Sequence, residues 1–137
     1  MINLLATIGI LSNLWLPQPE KYIEQPKTVQ ELVTIYADEF GVDQKLAHYI
    51  AKNESNYDAS QIGDMGITCP QRQSPFYGQP VRARGVFQIT QCWYPHVSDK
   101  EAFDAETNIK IAMEIIAKGE KICRQQFSTC NKYYRNL

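Results

Sequence analysis

Glu54, in the stretch AKNESNYDAS, is the side chain whose surroundings best suit acid–base chemistry. It follows Ile50 by four residues and Ala51 by three, so on a helix it falls on their apolar side and close to the C-terminal end. A carboxylate at the negative end of a helix dipole, against apolar neighbours, has its charged form disfavoured. Both effects raise its pKa, the condition for a general acid that works near neutral pH. The bland alternative is a solvated acid at a helix end, which composition alone favours. Two further acids, Asp58 and Asp64, lie close enough in sequence to act as a second carboxylate, but Asp58 reads as a residue of the turn after the helix and Asp64 sits in a GDMG turn.

Other common catalytic arrangements are missing from the sequence: it has no GxSxG elbow, no HExxH helix and no P-loop. Cys92 and His96 are near each other, yet His96 lies in an aromatic, Pro-containing turn that suits a packing or surface residue, and His48 reads as structural. The four cysteines, Cys69, Cys92, Cys123 and Cys130, contain no CxxC pair and have no histidine cluster beside them, so neither a metal nor another cofactor is expected. An even count suits two disulfides and an oxidising compartment; four reduced core thiols are the alternative, and three pairings are open.

The elements that must position Glu54 are mostly helical. Thr28 and Glu31 spell a capping box, and Val29, Leu32, Val33, Tyr36 and Phe40 recur at helical spacing until Gly41. Asp43 is a good N-cap for a second helix that carries Leu46, Ala47, Ile50 and Ala51 on one face and ends near Glu54. Residues 58–84, rich in Gly and Pro, read as irregular, with a binding loop, a lid or a small hairpin as the forms such a length takes. Cys69 falls inside that stretch; a disulfide from it, with Cys92 as one candidate partner, would restrain it. ARGVFQITQCWYP reads as a brief helix or turn through the core. VSDKEAFDAETNIKIAMEIIAKGEKICRQQF gives the longest helical pattern, apolar over much of its circumference and capped by Ser98 and Glu101. The fold class is therefore mainly α, in a single compact domain with at most one small hairpin.

A chain of 137 residues supports one domain with a real core. Its 14 basic and 15 acidic residues give a formal charge of -1 with no concentrated basic patch, which argues against a nucleic-acid partner. Residues 1–16 carry no charge and read as an export signal or anchor, with a buried or partner-binding apolar arm as the alternative; they are short of the ~20 residues a membrane-spanning helix needs. Residues 17–27, with three prolines, read as a linker, which leaves 28–137 as the folded domain.

Three stretches in order, EFGVDQKLAHYIAKNESNYD, RGVFQIT and DAETNIKIAMEII, resemble the soluble lytic transglycosylases of the lysozyme superfamily, from about Thr28 to the end of the chain. In that family a GV(D/N)xxLxxxIAxxES helix bears the catalytic glutamate, a GxxQI segment follows, and an NI opens a long central helix. The resemblance implies a lysozyme-like fold, α+β with little or no sheet. It makes Glu54 the catalytic acid/base and Ser55 the hydroxyl beside it. It assigns Gly85 and Gln88 to the cleft wall, with Gln88 on the sugar, and Asn108 to a structural place in the cleft. Tyr57, Tyr133 and Tyr134 are further candidates for substrate contact. Acetamido and hydroxyl groups of a glycan suit the Gln88 amide, and Tyr57, Phe76, Tyr77 and Trp93 offer apolar faces for pyranose rings.

Two departures stand out. The spacing from Glu54 to Gly85 is long, which implies an insertion that includes CPQRQSPFYGQP. The family's late AYN motif, whose tyrosine lies close to the acid, has no clean copy: the nearest stretch is STCN, with Cys130 where the tyrosine would stand. Tyr133 or Tyr134 is expected to replace it in space; otherwise the late cleft wall is built differently.

The family's activity implies an exported protein, periplasmic or extracellular, acting as a monomer on the peptidoglycan glycan strand. Glu54 alone would cut the MurNAc–GlcNAc β-1,4 bond and leave a 1,6-anhydro end, without a cofactor. A lysozyme-type or chitinase-type hydrolase and a non-catalytic glycan-binding module are the alternatives, and a secretion, conjugation or phage machine is a natural setting.

Overall fold

The computed structural model describes residues 27–137. The apolar segment 1–16 and all of the linker 17–27 except Lys27 lie outside the described residues.

Helix α1, Val29–Phe40, starts where the sequence says it should: Glu31 donates its backbone N–H to the Thr28 hydroxyl at 3.2 Å, and its carboxylate accepts the Thr28 N–H at 2.7 Å. Gly41, at φ 67°, closes it in a left-handed conformation that costs glycine little. Helix α2, Gln44–Ser55, is capped by the Asp43 carboxylate on the Leu46 N–H at 2.9 Å. It ends at Asn56 and Tyr57, both at positive φ, whose N–H groups turn back to the Lys52 and Ala51 carbonyls.

The region after α2 is more regular than its composition suggests. Strands β1, Ile62–Thr68, β2, Pro80–Arg84, and β3, Ile89–Thr90, form an antiparallel sheet in the order β1-β2-β3. Ile62 pairs with Arg84 and Thr68 with Pro80, and the register slips between them at an irregularity that contains Gly66. The Gly- and Pro-rich residues 69–79 are thus the tip of a hairpin. Cys69 and Cys92 are joined by a disulfide that ties the base of this tip to the chain after β3, over a small core of Val81, Phe76 and Trp93.

The long helical pattern of residues 97–127 is three helices, α3, Asp99–Phe103, α4, Ala105–Ala117, and α5, Glu120–Gln126. Asp104 makes the first break. Its backbone is extended, and its carboxylate takes the Thr107 N–H at 2.8 Å, so it ends one helix while capping the next. Gly119, at φ 110°, makes the second. A last helix, α6, Ser128–Arg135, is joined to α5 by the Cys123–Cys130 disulfide.

Helix α4 is the centre, with Ile109, Ala112 and Met113 fully buried, and α1 packs against both α4 and α2. Each fully buried Ile, Met or Phe, such as Ile50, Ile109, Met113 and Phe87, contributes roughly 1.5–3 kcal/mol relative to exposure. The result is a mainly helical domain with its small sheet to one side. Glu54 stands at the end of α2, where the turn between β2 and β3 meets the start of α6.

Candidate active site

Glu54 is half-buried, and its Oε1 accepts a hydrogen bond of 2.7 Å from the hydroxyl of Thr129. Burial pushes its carboxyl pKa up, while the Thr129 bond and the charge of Lys132 pull it down; the upward push wins. The start of α6 and the turn between β2 and β3 both reach this end of α2.

The turn from Gly85 to Gln88 forms one wall. Gly85 has φ 74°, and a Cβ there would run into the Ala102 carbonyl and stand 2.6 Å from Asn108 Nδ2. No other residue fits this place. Asn108 is completely buried and spends its whole amide on the turn and its neighbours. Nδ2 donates to the carbonyls of Arg84 at 3.0 Å and Ala102 at 2.8 Å, and Oδ1 accepts the Phe87 N–H at 2.8 Å. It is the fourth residue of α4 rather than the one that opens it, because the Asp104 cap starts the helix earlier. Ser55 holds the same turn from the other side, its hydroxyl donating to the Val86 carbonyl at 2.8 Å. The expectation of a sugar-binding hydroxyl at Ser55 therefore changes: its proton is committed to the backbone, and it positions the wall.

Gln88 sits at φ 52°, with Nε2 bonded to the carbonyls of Gly85 at 2.8 Å and Gln61 at 3.2 Å. Its Oε1 lies so close to Gly63 that a Cβ there would overlap it. The side chain borders a cavity of about 280 Å³ between the sheet and the α5–α6 corner, which Met65, Thr90, Trp93, Tyr94 and Gln125 also line. A cavity that pairs apolar side chains with a few amide and hydroxyl groups suits a sugar ring.

Of the aromatic residues expected on the glycan, Trp93 borders this cavity and the others do not. Phe76 packs on the disulfide of the hairpin, and Tyr77 is exposed near its tip. Tyr57 turns its hydroxyl to His48 Nδ1, 3.0 Å away, while His48 Nε2 meets the Thr34 hydroxyl at 2.9 Å. That contact is why Tyr57 faces the helices and why His48 is structural.

Neither Tyr133 nor Tyr134 makes a hydrogen bond to Glu54, where one of them was expected to replace the late tyrosine. Tyr133 packs on Tyr49 and Tyr134, each at 5.4 Å between rings, and Arg124 covers Tyr134 at 4.9 Å. Burial and then the Asp43 carboxylate raise the pKa of Tyr133, and its ring lies against Tyr49 on α2. The residue that meets Glu54 is Thr129, next to Cys130 in STCN. Sequence reasoning singled out that stretch but passed over its threonine, because a hydroxyl of that size carries no signal until the fold shows what it faces.

Asp58 accepts both the N–H and the hydroxyl of Ser60, at 2.8 and 2.7 Å, which holds its carboxyl below the usual range; it is the turn residue it was read to be. Asp64 lies in β1, its backbone opposite that of Arg82 in the strand register. Cys92 is in a disulfide, so a Cys92–His96 dyad is excluded. A second residue without a sequence signal is Arg84. It is buried and donates to the Ile89 and Val97 carbonyls and to Asp99, so it locks the ends of β2 and β3 behind the turn.

A family model described as transglycosylase SLT domain matches residues 31–134, a span that runs from the first turn of α1 to the last of α6 and contains every group just described. Comparison with curated proteins and with solved structures gives no match. SLT domains are lysozyme-like, and a mostly helical domain with a small sheet is that architecture. By the extent of that match and the architecture it covers, the chain belongs to the transglycosylase SLT domain family.

Proposed function

We propose that the protein is a lytic transglycosylase that cleaves the MurNAc–GlcNAc β-1,4 bond of peptidoglycan with Glu54 as its sole acid/base. The family supports glycosidic bond cleavage in peptidoglycan. The observation that carries the finer reading is that Glu54 is held half-buried with a raised pKa, while Asp58 beside it in sequence is consumed by Ser60. Two-carboxylate glycosidases need their acids about 5 to 9.5 Å apart with both free to act.

In the proposed reaction protonated Glu54 gives its proton to the glycosidic oxygen as the bond to the anomeric carbon breaks. The carboxylate then takes the proton of the C6 hydroxyl on the same muramic sugar, whose oxygen closes the 1,6-anhydro ring. The proton count balances and water is not consumed. Gln88 and the cavity beside Trp93 would seat the sugar, and Ser55, Gly85 and Asn108 would fix the wall that carries Gln88. Two disulfides suit an exported protein. Among the described residues no helix is long and apolar enough to cross a membrane, so export or anchoring through residues 1–16 stays a proposal.

The test is the mass of the products. Purified domain acting on isolated sacculi should release muropeptides with anhydro ends; reducing ends, heavier by one water, would show a hydrolase instead.

A further inference from the structure

Glu54 has two carboxylate oxygens, and the protein grips one of them. Thr129 donates to Oε1, and among the described residues no other hydrogen bond reaches the carboxylate. The threonine is 4% exposed, and the chain is anchored two residues before it and one after. Phe127 is buried edge-on against Phe87 at 6.2 Å, and Cys130 is fully buried in its disulfide with Cys123. The hydroxyl therefore reaches Glu54 from a corner held by packing and by a covalent bond. Among charged groups, Lys132, three residues on in α6, acts on Glu54 and favours its carboxylate form.

We propose that Thr129 is the positioning residue for Glu54, holding Oε1 so that Oε2 carries the proton to the substrate and takes it back. This rests on the reading of Glu54 as the acid/base. The chemistry suits both halves of a proton cycle. A threonine hydroxyl donates to Oε1 when the group is a carboxylate and can still donate to it when the proton sits on Oε2 as a carboxylic acid. The acid then changes its protonation without turning, and the reacting oxygen keeps one orientation.

Two variants and two readouts test this. Thr129→Val keeps the shape and removes the hydroxyl, and Thr129→Ser keeps the hydroxyl. A carbon-13 titration of the Glu54 carboxyl should show a higher pKa in T129V than in wild type and a return toward wild type in T129S. On soluble glycan strands, T129V should lose kcat by about 10²-fold with KM little changed, and T129S should recover most of the loss. A Glu54 titration unmoved by T129V, or a loss of kcat that T129S does not rescue, would overturn the proposal. If the wild type cuts no glycan, the acid/base reading fails and the positioning role falls with it, while the titration separately decides whether Thr129 holds the carboxyl.

Discussion

The two walls that meet at Glu54 are held by different means. The Gly85–Gln88 wall is fixed by hydrogen bonds from side chains at short, defined distances: three from Asn108 and one from Ser55, with Arg84 locked behind it. The Phe127–Thr129 wall has no such web. Its helices α5 and α6 are short, a side-chain bond of 3.3 Å from Asn131 Nδ2 to the Arg124 carbonyl joins them, Phe127 packs in the core, and the Cys123–Cys130 bond closes the corner. One wall thus depends on buried polar groups that are fully satisfied, and the other on packing and a buried covalent tie. They should therefore fail in different ways.

The largest effect is expected at the acid they share. Glu54→Gln should lower glycan cleavage by at least about 10²–10⁴-fold, the usual contribution of a positioned acid/base. It should also stabilise the fold at neutral pH. Because burial raises the folded-state pKa of Glu54, the native protein binds its proton more tightly than the unfolded chain does, so stability falls as pH rises through that window. The advantage of the Glu54→Gln variant should therefore be full above the raised pKa and vanish as pH falls to the ordinary carboxylate range. Thermal melts of both proteins across pH check the sign.

Next come changes to the hydrogen-bonded wall. Asn108→Leu strands the buried Phe87 N–H and two carbonyls, at roughly 1–3 kcal/mol for each unsatisfied group, and Gly85→Ala drives a Cβ into the Ala102 carbonyl at a positive φ. Both should lower denaturant midpoints strongly, and activity should follow stability.

The disulfides separate the two modes. In the chain-entropy picture the loop of the Cys69–Cys92 bond, with a separation of 23, is worth roughly 3 kcal/mol, and that of Cys123–Cys130, with a separation of 7, somewhat less, roughly 2–3 kcal/mol. Replacing Cys123 and Cys130 by Ala should nevertheless cost more activity than replacing Cys69 and Cys92, because it frees Thr129. Equal activities in the two double variants, measured where both are folded, would contradict that division. Ser55→Ala is the mildest, about 1 kcal/mol for one hydrogen bond to the turn.

The same division decides what the sequence revealed. The caps at Thr28, Asp43 and Ser98, the closing Gly41 and the apolar side of α2 are local signals, and each element they mark begins or ends as read. The order of motifs pointed to Gly85 and Asn108, and the structure shows their close approach at the turn, with Asn108 one turn inside α4 rather than at its start. A small hairpin was one of the forms open to the Gly- and Pro-rich stretch, but its strands could not be placed because their pairing is non-local and a bulge interrupts the alternation. Asp104 and Gly119 are ordinary breakers that the continuous apolar pattern of residues 97–127 outweighed. The far wall was illegible for a plainer reason. A threonine that meets a glutamate 75 positions away is set by the packing of α6 on α2, which no spacing within one helix encodes.

The measurement that tests the account most directly is mass analysis of muropeptides after purified wild-type protein and Glu54→Gln each digest the same sacculi. The wild type should release anhydro-ended products, and the variant should release almost none while still binding glycan. A Glu54→Gln protein that lyses the wall as fast as wild type would contradict the assignment of Glu54 and the reading of both walls built around it.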